Sequence, residues 1–163
     1  EAPAPESGDE EMEGSSSKEE AGFITHDING NIDGTAVFIG CATASRVLRF
    51  ETSNRVVSDV IEMPAPPLGM ALSPDDRTLY VTCAASESKV CIVDVAGRKI
   101  TGSIDVGHTA MAPIVSPNGE KLYVCNRFNN DVGINPLDPK VKMDLVRKGE
   151  FYFYDVGICY KKW

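Results

Sequence analysis

The sequence predicts an all-β fold built of stacked four-stranded units, and three observations carry that expectation. The 163-residue chain repeats itself at an offset of 43 residues. Each repeat holds four short runs rich in Val, Ile, Tyr and Thr, with Gly, Pro, Asn and Asp between them. No helical periodicity of apolar residues is found between Phe23 and Cys125.

The repeat is clearest where LSPDDRTLYV (72–81) is echoed by VSPNGEKLYV (115–124). Upstream, Ser45-Arg46-Val47 falls on Ser88-Lys89-Val90, Val57 on Ile100 and Ile61 on Ile104. With one residue removed, VFIGCA (37–42) matches LYVTCA (79–84), so about 2.5 copies span residues 34 to 134. The strand runs of the middle copy are TLYVTC, KVCIVDV, KITGSIDV and MAPIVS. Ser116-Pro117-Asn118-Gly119 is a turn in which proline presets φ and glycine accepts a positive φ; Asp76 replaces that glycine in the earlier copy and predicts a less relaxed turn. Four strands recurring every forty-odd residues is the pattern of a β-propeller blade. The expected fold is therefore a partial β-propeller of about 2.5 four-stranded antiparallel blades.

On these residues the chain resembles the YVTN family of propeller repeats, in LYVT at 79–82, LYVC at 122–125 and VFIG at 37–40. The resemblance implies an extracytoplasmic propeller, commonly of seven blades, that is periplasmic or extracellular. Seven such units need about 300 residues. A blade obtains much of its burial from its neighbours' faces, and too few blades leave two faces uncovered. Either other copies supply further blades, or the sheets pack unusually, or this is a piece of a longer protein; the piece is the expectation.

Residues 1–21 are expected to form a disordered acidic tail or tether, residues 22–134 the repeats, and residues 135–163 a connector with an aromatic C-terminal segment. Positions 1–20 hold eight acids and one base, which accounts for −7 of the net charge of −8. So polar a stretch cannot offset the entropy of ordering. Glu1 opens no leader sequence, as in a mature secreted protein or a fragment. After Asn130, the prolines of GINPLDPKVKMD are expected to end the repeat. In LVRKGEFYFYDVGICYKKW, Arg147, Gly149, Glu150, Phe153, Asp155, Cys159 and Trp163 resemble the opening of a di-haem cytochrome c peroxidase-like domain. That resemblance implies haem c in a longer parent protein. This chain has no CxxCH, so it is expected to carry no cofactor itself.

Composition narrows the function classes. No Lys/Arg cluster offers itself to nucleic acid, and no apolar run is long enough for a membrane span. No Gly-x-Ser-x-Gly, Gly-rich phosphate loop or acid–base pair points to catalysis, so the reading leans away from an enzyme. The segment DINGNIDG places Asp27, Asn29, Asn31 and Asp33 as a calcium loop would. The carboxylate such a loop needs is replaced by Gly40, and an Asn29-Gly30 turn between extended segments explains the composition without a metal. His108, in a loop between strands, is the best lone ligand candidate, against the simpler reading of a solvent-facing histidine; His26 has no partner that spacing identifies. Cys83 and Cys91 lie near the two ends of a hairpin, where a disulfide competes with buried free thiols. Two functions remain in view: a non-catalytic scaffold that binds a protein partner or further blades by self-association, and a propeller accompanying a c-type cytochrome domain in a redox protein.

Overall fold

The computed structural model describes residues 24–137 and the backbone of two short strands beyond them. The first sheet is β1 (Thr25–Gly30), β2 (Ala36–Cys41), β3 (Arg46–Glu51) and β4 (Val56–Glu62), hydrogen-bonded in that order. The middle sheet is β5 (Pro67–Leu72), β6 (Thr78–Cys83), β7 (Lys89–Asp94) and β8 (Lys99–Asp105). The last sheet orders β9 (Ala110–Val115), β10 (Lys121–Asn126) and β11 (Asp131–Pro136) with β10 in the centre. Every pairing is antiparallel. A 3₁₀ turn, Arg127–Asn129, is the only helical element among the described residues. Strands β12 (Phe151–Phe153) and β13 (Cys159–Lys161) form a separate antiparallel pair. The expected acidic tail lies outside the described residues.

The strand runs are where the sequence puts them, but their grouping differs by one strand. MAPIVS, expected to complete the middle unit, supplies β9 and opens the last sheet. The Ser-Pro turns explain this. Ser73 N donates to Thr78 O and Ser116 N to Lys121 O, both at 2.8 Å, so each turn closes a hairpin between the runs flanking it. Asp76 takes the left-handed conformation at φ 57°, matching Gly119 at φ 72°, as the less relaxed turn requires. Two further boundaries move. β1 continues through Gly30, and the first turn falls later, at Asn31–Gly34, with Gly34 at φ 71°. β11 runs in register with β10 as far as Pro136, past the expected break, because the proline occupies its last position.

The 43-residue echo extends to backbone irregularities. Ser58 donates its hydroxyl to Arg49 O, and Thr101 donates to Ile92 O, each beside a register shift in the outermost strand pair.

Two apolar clusters hold the sheets together. Phe38, Val47 and Ile61 of the first sheet pack with Leu79, Val81, Cys83, Cys91 and Val93 of the middle one. Tyr80 and Val90 on the opposite face of the middle sheet pack with Ala110, Leu122 and Val124 of the last. Strict alternation along β6 and β7 makes the middle sheet two-faced, one face per neighbour. The inner strands approach closely: a Cβ on Gly69 would lie 2.7 Å from Pro113 Cδ and 2.9 Å from Ala112 N. Only glycine fits there.

Candidate functional site

The meander sends its loops to two ends. One end carries the tight hairpin turns β1–β2, β5–β6 and β9–β10. The other carries the β2–β3, β6–β7 and β10–β11 loops together with the two sheet-to-sheet crossovers. At this crossover end, Ser88 is buried and acts as a hub. Its hydroxyl accepts from Ala85 N and Ala110 N, both at 3.1 Å, and donates to Ala85 O at 2.8 Å. Asn126, equally buried, accepts from Gly107 N at 2.9 Å and donates to Asp131 Oδ1 at 2.6 Å. Gly107 has no room for a side chain, since a Cβ would meet Asn126 Cγ at 2.5 Å.

These anchors fix the 106–109 crossover against the 127–130 loop and place His108 beside Phe128. The rings meet edge to face, with centroids 4.9 Å apart and planes at 70°. Asn129 Oδ1 accepts from His108 N at 2.7 Å, and His108 Nδ1 shares a 2.7 Å hydrogen bond with Thr109 Oγ1. The Arg127 guanidinium stands 5.6 Å from the Phe128 centroid. Phe128 is nonetheless 64% exposed, and His108 is exposed as well. A histidine, an aromatic ring and an arginine thus share one rim, above loops tied by the Ser88 and Asn126 hydrogen bonds. Chemically the group can stack, donate hydrogen bonds and meet an anionic or aromatic group. Sequence reasoning reached His108 but missed Phe128, Arg127 and Asn129, although RFNN sits one repeat after the AASE loop and is far richer in recognition side chains.

The other candidates have structural partners. Asp27 and Asn29 grip one residue of the neighbouring sheet: Asp27 Oδ2 accepts from Met70 N at 2.6 Å, and Asn29 Nδ2 donates to Met70 O at 3.3 Å. Asn31 Oδ1 accepts from Ala36 N at 2.9 Å within the turn, and Asp33 Oδ1 accepts from the Thr35 hydroxyl at 2.6 Å. The Thr35 hydroxyl holds the Asp33 carboxyl below its usual range. The four residues are divided between an inter-sheet clamp and a turn. Among the described residues no group of three or more His, Cys, Asp and Glu is placed to hold a metal. Cys83 and Cys91 do come together, with Sγ atoms 3.5 Å apart on diagonal positions of β6 and β7. Their mutual hydrogen bond and then burial push the Cys83 thiol far above its ordinary range. Of the residues resembling a cytochrome-domain opening, Phe153 and Cys159 fall in β12 and β13, and the rest lie outside the described residues.

No family model and no curated protein matches the sequence. Solved structures do. Hydrazine synthase of Kuenenia stuttgartiensis superposes with a TM-score of 0.68 at 23% identity, over 74% of this chain and 34% of that one. The WD40 repeats of RRP9 give 0.67 at 12% identity, over 79% and 41%. A functionally unknown protein from Desulfotomaculum acetoxidans gives 0.67 at 16%, over 78% and 41%. The sheets are β-propeller blades. The chain spans between a third and a little over two fifths of each of these structures. In propeller terms β1, β5 and β9 are the inner strands, the rim group sits between blades 2 and 3, and Asp27 and Asn29 tie blade 1 to blade 2. No helix among the described residues is long and apolar enough to cross a membrane.

Proposed function

We propose that this chain is a non-catalytic binding scaffold whose crossover end engages a protein partner. The observation that carries this reading is the rim group: Phe128 is 64% exposed although the His108 ring and the Arg127 guanidinium meet it, with His108 anchored in turn by Asn129. Pre-positioned aromatic and arginine side chains dominate binding energy at protein interfaces, because little rotamer entropy is lost on association. The resemblance of LYVT and LYVC to YVTN repeats supports a place in that family and an extracytoplasmic location, periplasmic or extracellular. In an oxidising compartment Cys83 and Cys91 are the pair that closes as a disulfide. The test is photo-crosslinking from a benzoylphenylalanine at position 128, with position 118 at the opposite end as control. A defined adduct from 128 alone, suppressed by excess unlabelled chain, is expected. Equal labelling from both ends overturns the reading.

A second reading rests on the segment at 147–163, where RKGEFYF, Cys159 and Trp163 resemble the entry to a cytochrome c peroxidase-like domain. In that case the propeller accompanies haem c in a parent protein. A CxxCH within about ten positions beyond Trp163 in the parent gene, with a pyridine haemochrome from the natural protein, supports it; haem-free full-length protein removes it.

A further inference from the structure

We propose that Cys83 and Cys91 are a shielded dithiol whose disulfide closes only while blade 1 is lifted off blade 2, so that the redox state of the pair is locked whenever the two blades are packed. This rests on the pair closing in an oxidising compartment. It leaves the rim group untouched, so crosslinking from position 128 and thiol chemistry at 83 and 91 can fail independently.

The two sulfurs are placed to bond. They stand 3.5 Å apart on one face of the β6–β7 hairpin, and closing that gap by roughly 1.5 Å makes a disulfide. The hydrogen bond from Cys83 draws the Cys91 thiol below its ordinary range; burial opposes this and the Lys89 charge adds to it. Cys91 is therefore the attacking sulfur of the pair, since the thiolate is the nucleophile in exchange.

What the packed fold lacks is a way in. Cys83 and Cys91 are 3% and 2% exposed, on the face of blade 2 that Phe38, Val47 and Ile61 of blade 1 cover. A small disulfide such as oxidised glutathione oxidises a dithiol through a mixed disulfide. The Cys91 sulfur bonds to one glutathione sulfur and the other leaves as a thiolate. The Cys83 sulfur then loses its proton, bonds to the Cys91 sulfur and expels the second glutathione. The protein gives up two electrons and two protons in all, and one glutathione disulfide becomes two glutathione thiols. The mixed disulfide would put a whole tripeptide where Phe38, Val47 and Ile61 sit, and a close-packed interior has no such space. Blade 1 must move first. Its movement breaks the Asp27 and Asn29 clamp on Met70 and the ion pair between Asp59 of β4 and Arg98 of the β7–β8 turn, which meet at 2.9 Å. The same barrier acts in reverse. Once blade 1 is back in place a reductant has no route to the bond, so each redox form lasts as long as the interface holds.

The experiment incubates the reduced full chain with oxidised glutathione, quenches with acid at intervals and alkylates the remaining thiols. Mass spectrometry then follows the disulfide that links tryptic fragments 78–89 and 90–98. Closure in the urea-unfolded chain sets the unhindered rate, and closure in the native chain is expected to be at least about a hundredfold slower. Asp27→Ala loosens blade 1 and is expected to speed native closure about tenfold. Asn126→Ala loosens blade 3 instead and is expected to leave the rate within about threefold of wild type. Native closure as fast as in urea would show that the sulfurs are reachable without opening. Equal acceleration by the two variants would tie exchange to global unfolding rather than to blade 1. A native chain that links Cys83 or Cys91 to another cysteine in place of the 83–91 bond would dissolve the pair. Each of these overturns the proposal, and the first and third are read on the wild-type chain, whatever the variants do.

Discussion

The interface between blades 1 and 2 and that between blades 2 and 3 share one backbone plan but are filled with different chemistry. The buried cluster of the first is apolar with two thiols, Phe38, Val47, Leu79, Val81, Cys83, Cys91 and Val93, and the polar ties of Asp27 and Asn29 to Met70 lie at the inner strands. The second keeps Leu122 and Val124 but buries Thr82, Asn126, Asp131 and Asn135. Position by position, Asn126 replaces Cys83, Gly133 replaces Cys91 and Asn135 replaces Val93. Asn126 and Asp131 hydrogen-bond to each other, yet both side-chain polar atoms of Asn135 are buried without a partner among the described residues. The difference teaches that stacking specifies shape and apolar share, while the polar content of a blade face is free to diverge. An unpaired buried amide costs free energy, so the interface between blades 2 and 3 is expected to be the weaker of the two.

The largest test of that contrast is a matched pair of truncations. Leu79→Ala and Leu122→Ala remove equivalent side chains, both fully buried. In the apolar interface the cavity stays dry, and the loss is expected at ~3–5 kcal/mol. Leu122 pairs directly with Asn135, so its cavity admits a water that the orphaned amide can hold. Its loss is expected to be smaller by at least ~1 kcal/mol. Urea unfolding of the two variants decides; equal losses would remove the claimed asymmetry. Asn126→Ala comes next at ~2–3 kcal/mol, because it strands Gly107 N and Asp131 together. It should also raise amide exchange at Gly107 and His108, whereas a purely global effect would leave their protection relative to the blade core unchanged. Asn135→Val has the opposite sign. It restores the residue found at position 93, and is expected to stabilise by ~1–2 kcal/mol in the same unfolding assay. A destabilised Asn135→Val would mean the amide has a partner that the contrast ignores.

How much of this was legible beforehand differs by feature. Strand existence and the repeat were written in LYVT, LYVC and the Ser-Pro turns, because hairpin chemistry is local. Which strands share a sheet was misgrouped by one, because MAPIVS joins its sheet through the β9–β10 hairpin and only a crossover links it to β8. The roles of Asp27 and Asn29 were illegible for a related reason. Their partner Met70 lies more than forty residues away, and short-range spacing could only offer a calcium loop. His108 was found as a loop histidine, but its pairing with Phe128 depends on Ser88, Asn126 and Gly107 holding two loops in register across blades. Blade-face polarity at Asn135 carried no signal, since an alternating strand with one Asn reads as solvent-facing on that side.

The two Ser-Pro turns offer the finest comparison, because at matched geometry the serine hydroxyl meets a carboxylate in one, Asp75, and an amide in the other, Asn118. Ser73 Oγ donates to Asp75 Oδ1 at 2.6 Å and accepts from Thr78 N at 2.9 Å. Ser116 Oγ donates to Asn118 Oδ1 at 2.7 Å and accepts from Lys121 N at 2.9 Å. The hydroxyl of Ser73, and then Arg77 N, hold the Asp75 carboxyl below its ordinary value of 3.8. A carboxyl depressed in the folded state adds stability that is complete above the unfolded value and is lost as pH falls through the folded one. Asp75→Asn is therefore expected to lower the melting temperature slightly at pH 7, the smallest effect of the set, since this turn is exposed to solvent. The deficit should begin to shrink as pH falls below 3.8 and vanish only once pH has passed below the depressed folded value, where the wild-type carboxyl is itself protonated. Asn118→Asp should do the reverse in blade 3 and confer an acid-sensitive contribution the wild-type turn lacks. A deficit in Asp75→Asn that persisted unchanged at low pH would assign the effect to turn geometry rather than to charge.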